Sequence, residues 1–274
     1  MASPTEITVS QLSRIIGTPE CPVLVDTCID EDFDADARYV PSSFRHSFKQ
    51  IEALIPSIGS RKVIVICKKG LKLSQGAAAL LRNAGIAAES LEGGKYAWRD
   101  AGLPLVPAEK IPQRNPAGQT VWVTRQRPKI DRIACPWLIR RFIDPGAQFL
   151  FVAPSEVMNV ADYFDATPFD VDDVFFSHRS DLCSFDTMIE EFSLLTEPLR
   201  HLAVIIRGAD TNKHDLAPES AGLLAASLGL SRMYRNDLNQ LDAGMHIYDA
   251  FYRWARDATD EGHDWPASSN KRAG

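Results

Sequence analysis

Short apolar runs dominate the first hundred residues, and longer helical stripes dominate the last eighty. Val23-Leu24-Val25-Asp26 and Val63-Ile64-Val65-Ile66 are β-branched and continuous enough to predict buried strands, and Ala87 to Leu91 predicts a third. Helical spacing falls between them. Thr8 to Gly17 reads as a short helix with Ser10 as N-cap, Leu12, Ile15 and Ile16 as its stripe, and Gly17 as its stop. Gln75 to Asn83 reads as a helix stopped by Gly85. Tyr39 to Ser43 is extended and then turns, and Glu92 to Trp98 turns on two glycines into a short helix. Strands alternating with helices predict an α/β domain, a parallel sheet flanked by helices.

The stretch from Leu103 to Gly118 carries four prolines and no periodicity, so it reads as a semi-rigid, extended connector. Beyond it, Val121 to Thr124 and Gln148 to Val152 predict strands, and Val174 to Asp186 predicts two short strands around a polar turn. Ile133, Trp137 and Leu138 have helical spacing, with Pro136 opening or kinking that helix. Pro198 to Arg207 follows Thr196 as N-cap, and Pro218 to Leu228 ends at Gly229. Asp237 to Asp257 aligns Leu238, Leu241, Met245, Tyr248 and Tyr252 on one stripe. This half is therefore a second, mainly helical α+β domain. The expected organisation is 1–108, a linker over 109–119, a second domain over 120–257, and a polar, flexible tail over 258–274.

Composition agrees with two ordinary globular domains: 274 residues, 45% apolar and 24% charged. A net charge of -6 argues against general affinity for nucleic acid. Five cysteines, an odd number, do not make a secreted disulfide framework. The N-terminus has no basic segment leading into an apolar one, and no apolar run is long enough to span a bilayer. The expectation is a soluble, cytoplasmic protein with neither nucleic acid nor membrane as partner.

The candidate chemistry begins at Cys67, where the Val63–Ile66 run ends. Lys68-Lys69-Gly70-Leu71-Lys72 forms a tight cationic loop ahead of a helix. Converging amides, a helix N-terminus and three lysines favour thiolate over thiol. An inert cysteine buried at a strand end fits the same pattern. Asp26 closes a neighbouring strand at its carboxyl end, where ligands of parallel sheets gather, and Cys28 follows it.

Val-Leu-Val-Asp at 23–26, Val-Pro-Ser-Ser at 40–43, the loop from Cys67 to Lys72, and Leu91-Glu92-Gly93-Gly94-Lys95-Tyr96-Ala97-Trp98 running on to Leu103-Pro104 together resemble a single rhodanese domain over residues 5–107. The resemblance implies a catalytic Cys67 carrying a persulfide, a small sulfur donor such as thiosulfate, a thiophilic acceptor, and no cofactor. The active-site loop would be Lys68, Lys69, Gly70, Leu71 and Lys72, supported by Asp26; Cys28 reads either as a resolving thiol near Cys67 or as an inert strand-end cysteine. Lys72 stands where the family usually has arginine, and Leu73 where it has serine. Lysine keeps the charge but loses bidentate recognition of an oxyanion.

The second half resembles the C-terminal domain of the chromate-resistance ChrB family over residues 120–257. Lys129 to Pro145, His178-Arg179 with Cys183 to Asp186, Ile206 to Thr211, and Pro218-Glu219 carry the likeness. It implies a role in chromate response, with the rhodanese domain in place of the regulator's usual N-terminal part. Arg132, Arg140, Arg141, Arg179 and Arg207 are planar forks suited to chromate or sulfate, unless they pair with Asp131, Asp186 or Asp210 as structure. His178, Cys183, Asp186, Asp210, His214 and Glu219 are the candidate ligands of a transition metal, though their spacing matches no short metal motif. Three functions fit these residues: sulfur transfer at Cys67, a chromate or redox sensor with a non-catalytic rhodanese domain, and thiol-dependent chromate reduction by Cys67 with Cys135.

Overall fold

The computed structural model describes residues 4–262. Its first half runs β1 (Glu6–Ile7), α1 (Val9–Ile15), β2 (Val23–Asp26), α2 (Asp30–Asp34), β3 (Arg38–Tyr39), β4 (Ser43–Arg45), α3 (Ile55–Ile58), β5 (Val63–Ile66), α4 (Lys72–Asn83), β6 (Ala88–Leu91), α5 (Gly94–Asp100) and β7 (Val106–Pro107). Five of these strands make a parallel sheet in the order β1-β6-β5-β2-β4. β5 lies in its centre, and all four of its side chains are buried. Alternation divides them between two layers. Val63 and Val65 pack with Ala77, Ala78 and Leu81 of α4 and Ile58 of α3. Ile64 and Ile66 join the opposite layer with Leu12 of α1 and Trp98 of α5. A continuous apolar run is what a strand covered on both faces requires.

The second half runs β8 (Val121–Arg125), α6 (Asp131–Leu138), β9 (Gln148–Val152), α7 (Val157–Phe164), β10 (Thr167–Pro168), α8 (Ser184–Glu191), α9 (Glu197–Asp210), α10 (Glu219–Met233) and α11 (Asp237–Asp257). A three-stranded parallel sheet, ordered β10-β8-β9, is joined to a larger helical body. Among the described residues no helix is long and apolar enough to cross a membrane.

Several elements differ from expectation for physical reasons. The N-cap of α1 is Thr8 rather than Ser10: Thr8 Oγ1 accepts the Gln11 amide at 3.1 Å while Gln11 Oε1 accepts the Thr8 amide at 3.0 Å. Helix α4 starts at Lys72, directly on the loop, instead of at Gln75. Pro136 sits inside α6, and the chain widens into a π turn over Ile139–Ile143 just beyond it. The expected strand pair in 174–186 reduces to two isolated bridges, because Asp186 Oδ2 accepts the Cys183 amide at 3.0 Å and starts α8 there. Gly229 does not stop α10, which continues to Met233. Of the expected tail, 263–274 lie outside the described residues.

The proline-rich connector is fastened at both ends. β7 pairs antiparallel with β3, Lys110 meets Glu191 at 2.7 Å, and Arg114 meets the buried Asp144 at 3.0 Å. The apolar layer beneath β5 then runs without interruption into the second half, reaching Trp137, Phe142 and Tyr252. At this seam the Ser42 amide donates to the Phe142 carbonyl at 2.5 Å. Gly17 has φ +81°, and a Cβ there would meet the rings of Phe142 and Tyr252, both under 3 Å away.

A shared core couples the two halves, so calorimetry should show one cooperative unfolding transition of the full chain. Gly17→Ala should lower its midpoint by roughly 2–4 °C, the shift that about 1 kcal/mol produces at this size. Two well-separated transitions in the parent protein would show that the seam does not couple the halves.

Candidate functional site

Cys67 is the first residue past β5, at the carboxyl end of the sheet's central strand and only 5% exposed. Its Sγ lies 3.1 Å from the buried hydroxyl of Ser74, which lies 3.2 Å from the Leu71 carbonyl. Sequence comparison with rhodanese placed the missing serine at Leu73. The structure supplies a hydroxyl from the next residue, which α4 turns inward. Among the described residues, no backbone carbonyl accepts the amides of Lys69 to Ser74, the end of the loop and the first turn of α4. These are the donors a helix leaves for an anion. Lys68 is committed to Asp32 at 2.6 Å and lies over the Tyr96 ring. Lys69 and Lys72 are exposed, and neither forms an ion pair among the described residues.

Two glycines set the loop's shape. Gly70 and Gly94 have φ of +68° and +61°, and each backbone occupies the space the other's Cβ would need. A Cβ on Gly94 would overlap the Cys67 carbonyl and the Gly70 amide. The close approach lets the Lys95 amide donate to the Cys67 carbonyl at 2.9 Å and the Tyr96 amide to the Lys68 carbonyl at 3.1 Å. Lys95 itself is 1% exposed, and its Nζ donates to the carbonyls of Asp36 at 2.7 Å and Arg38 at 3.3 Å. The sequence marks it only as part of the Leu91–Trp98 stretch, with no role of its own.

Asp26 is buried, and its Oδ1 accepts the Cys28 amide at 2.8 Å, closing the turn beyond β2. Cys28 is buried as well. Burial first, then the charge and hydrogen bond of Asp26, push its thiol far above the usual range, and the charge of Cys67 adds to this. A thiol held protonated is a poor resolving nucleophile, so Cys28 fits a packing role better than the one expected of it. Cys135 is wholly buried, and burial followed by the charge of Asp131 raises its thiol too. It offers neither access nor thiolate to chromate.

The five candidate oxyanion arginines do not converge. Arg140 pairs with Asp242 at 3.1 Å, Arg141 takes Asp249 through two bonds of 2.7 Å, and Arg179 meets Glu191 at 2.6 Å. Arg207 donates to Asp186 at 2.9 Å, and Arg132 lies 3.3 Å from Asp170 while donating to the Gln126 carbonyl at 2.9 Å. Each fork is spent on its own carboxylate or carbonyl, as the structural reading anticipated for Arg207.

A second constellation forms where β8 and β10 end. Asp131 opens α6, Asp170 and His178 lie between β10 and α8, and Asp210 closes α9. His178 Nε2 is 3.5 Å from Asp131 Oδ2, 3.5 Å from Asp170 Oδ1 and 3.3 Å from Asp210 Oδ2. Asp131 is fully buried: Oδ2 accepts the Ser184 amide at 2.6 Å, while Oδ1 has no hydrogen-bond partner among the described residues. Such an orphaned oxygen costs about 1–3 kcal/mol, and more when charged. Burial, then the charges of Asp210 and Asp170, push the Asp131 carboxyl well above the carboxylate range. Burial also works against Asp170, yet hydrogen bonds from His178 and Ser184 and the guanidinium groups of Arg132 and Arg125 hold it low. Hydrogen bonding to Asp170 and then Asp210 raises His178 to about 10.

Of the metal candidates read from sequence, the structure thus brings His178 and Asp210 together and adds Asp131 and Asp170. Cys183 and Asp186 are occupied at the start of α8, and burial raises the Cys183 thiol. His214 lies in a separate 3-10 turn and Glu219 at the start of α10, and neither contacts His178 among the described residues.

Residues 122–255 match the family model described as "ChrB, C-terminal domain". The relative "Protein ChrB" of Cupriavidus metallidurans is 36% identical over 168 residues, covering 57% of this chain and 50% of its own. The chain therefore spans about half the length of the curated relative it matches. Solved structures similar to the chain include a rhodanese-like domain protein from Staphylococcus aureus (24% identity, 34% of this chain and 90% of that one, TM-score 0.31). A thiosulfate sulfurtransferase from Pseudomonas aeruginosa (24%, 38% and 19%, TM-score 0.34) is another. A Rhodopseudomonas palustris protein of unknown function (27%, 36% and 83%, TM-score 0.34) is a third.

The Gly70–Gly94 contact is open to direct test. Gly94→Ala should displace the loop, lowering the thermal midpoint by at least roughly 2–4 °C. It should also change the rate at which Cys67 is alkylated by iodoacetamide, followed by peptide mass spectrometry. A variant with the parent's midpoint and alkylation rate would show that the glycines do not hold the loop.

Proposed function

We propose that this protein transfers sulfane sulfur through a persulfide on Cys67, and that it serves chromate resistance through its ChrB-type half. The observation that carries the reading is the setting of Cys67: the end of the central strand and a loop whose later amides meet no backbone carbonyl among the described residues, with Lys69 and Lys72 exposed in the same stretch. The rhodanese resemblance read from residues 5–107 supports the same chemistry. The Cys67 thiolate attacks the outer sulfur of thiosulfate. The donor's S–S bond breaks, and sulfite leaves with the electron pair. Negative charge on the outer sulfur of the new persulfide then lies among amide donors, where fixed dipoles stabilise it without reorganising. A thiophilic acceptor takes that outer sulfur, and its bonding pair returns to Cys67 Sγ. The Ser74 hydroxyl, 3.1 Å from Sγ, is placed to donate to the sulfur in its anionic state.

Lys72 supplies the positive charge at the loop mouth, but as a point charge without a fork. The similarity of residues 122–255 to the ChrB C-terminal domain supports the link to chromate resistance.

The test is thiocyanate formation from thiosulfate and cyanide by the full chain. Wild type should turn over, Cys67→Ser should not, and Lys72→Ala should lose roughly tenfold in kcat/KM, the low end for a charged hydrogen bond. Turnover that survives in Cys67→Ser would refute the assignment.

A further inference from the structure

The geometry points to a divalent transition-metal site formed by Asp131, Asp170, His178 and Asp210, separate from Cys67 and lying in the ChrB-type half. One ligand atom each from Asp131, Asp170 and His178 lies within 4.8 Å of the others, and Asp210 Oδ2 approaches the same imidazole nitrogen at 3.3 Å. One nitrogen can donate at most one proton, so it cannot serve three carboxylates. The three carboxylates stand at a nearly equal 3.3–3.5 Å from it and face a common point. A divalent ion takes the imidazole nitrogen in its neutral form, so binding here would release any proton held at Nε2.

The independent sign of a missing ligand is Asp131 Oδ1. It is buried in a side chain with no exposure, has no hydrogen-bond partner among the described residues, and belongs to a carboxylate that the Cys183 side chain also approaches and whose other oxygen faces His178. Outer contacts already hold the donors in place, as the neighbours of metal ligands do. The Ser184 amide fixes Asp131 Oδ2 at 2.6 Å, and the Ser184 hydroxyl donates to Asp170 Oδ1 at 2.9 Å. Arg132 and Arg125 draw on the opposite oxygen, Asp170 Oδ2, at 3.3 and 3.4 Å. These bonds turn Asp170 Oδ1 toward the imidazole.

Three carboxylates and one imidazole form a donor set for manganese, iron or zinc. Calcium and magnesium prefer all-oxygen surroundings. The His178 side chain is 41% exposed, so the site opens to solvent on that side. A bound ion would keep positions there for water or a small anion.

The experiment uses the full chain without a histidine tag, stripped with chelator and dialysed. Mn2+ and Zn2+ are then titrated by calorimetry, with elemental analysis of the desalted product. The expected result is one equivalent of one of these ions per chain and a higher thermal midpoint. Asp131→Asn, and independently His178→Ala at a half-exposed position, should each weaken binding at least about tenfold while circular dichroism stays unchanged. No stoichiometric uptake of either ion by the parent protein, or uptake unaffected by His178→Ala, would overturn the site.

Discussion

Strand β5 has no face to spare for water. Its four residues are covered by α3 and α4 on one side and by the layer shared with the second half on the other. That two-sided burial fixes the level at which the strand ends, and so the depth at which Cys67 leaves the sheet. The loop can then close only one way, with Gly70 pressed against Gly94 and the Lys95 amide on the Cys67 carbonyl. The chemistry proposed for the sulfur depends on this ordering. Amides held by a rigid loop cost nothing to align when charge develops on the sulfur, whereas a mobile loop would have to order itself each time.

The second half solves a different problem. Its helical body pairs almost every buried charge: Arg141 with Asp249, Arg207 with Asp186, Arg114 with Asp144. Around His178, by contrast, three carboxylates from separate elements face one imidazole nitrogen. Buried charges are tolerated when paired or bound to an ion. The arginine pairs are closed on themselves, and the proposed ion site lies in a cluster that is not.

Much of the fold was legible because burial leaves periodic traces. The apolar run of β5 and the long stripe of α11, which spans Asp237–Asp257 as the spacing suggested, are direct consequences of two-sided and one-sided burial. Local polar chemistry hid the rest. The segment 174–186 looks strand-like from Val174, Phe175 and Phe176, yet an Asp186 side chain capping the Cys183 amide decides for helix α8. Gly229 looked like a stop, but α10 carries it in a helical interior where nothing lies within 4 Å of a would-be Cβ. Of the sites, Cys67 could be read because strand, loop and helix are contiguous. The His178 cluster could not be completed from sequence, since its four members are separated by up to 79 positions (131 to 210) and only folding brings them together. Asp170 follows a two-residue strand that leaves no pattern.

The central claim is that Cys67 accepts sulfur. Intact mass of the full chain after incubation with thiosulfate, with Cys67→Ser treated in parallel, tests it most directly. The account predicts a gain of one sulfur atom on the parent protein, removed by a thiol reductant and mapped to the Cys67 peptide, with no gain on the variant. An unchanged parent mass, with Cys67 still open to alkylation, would contradict it.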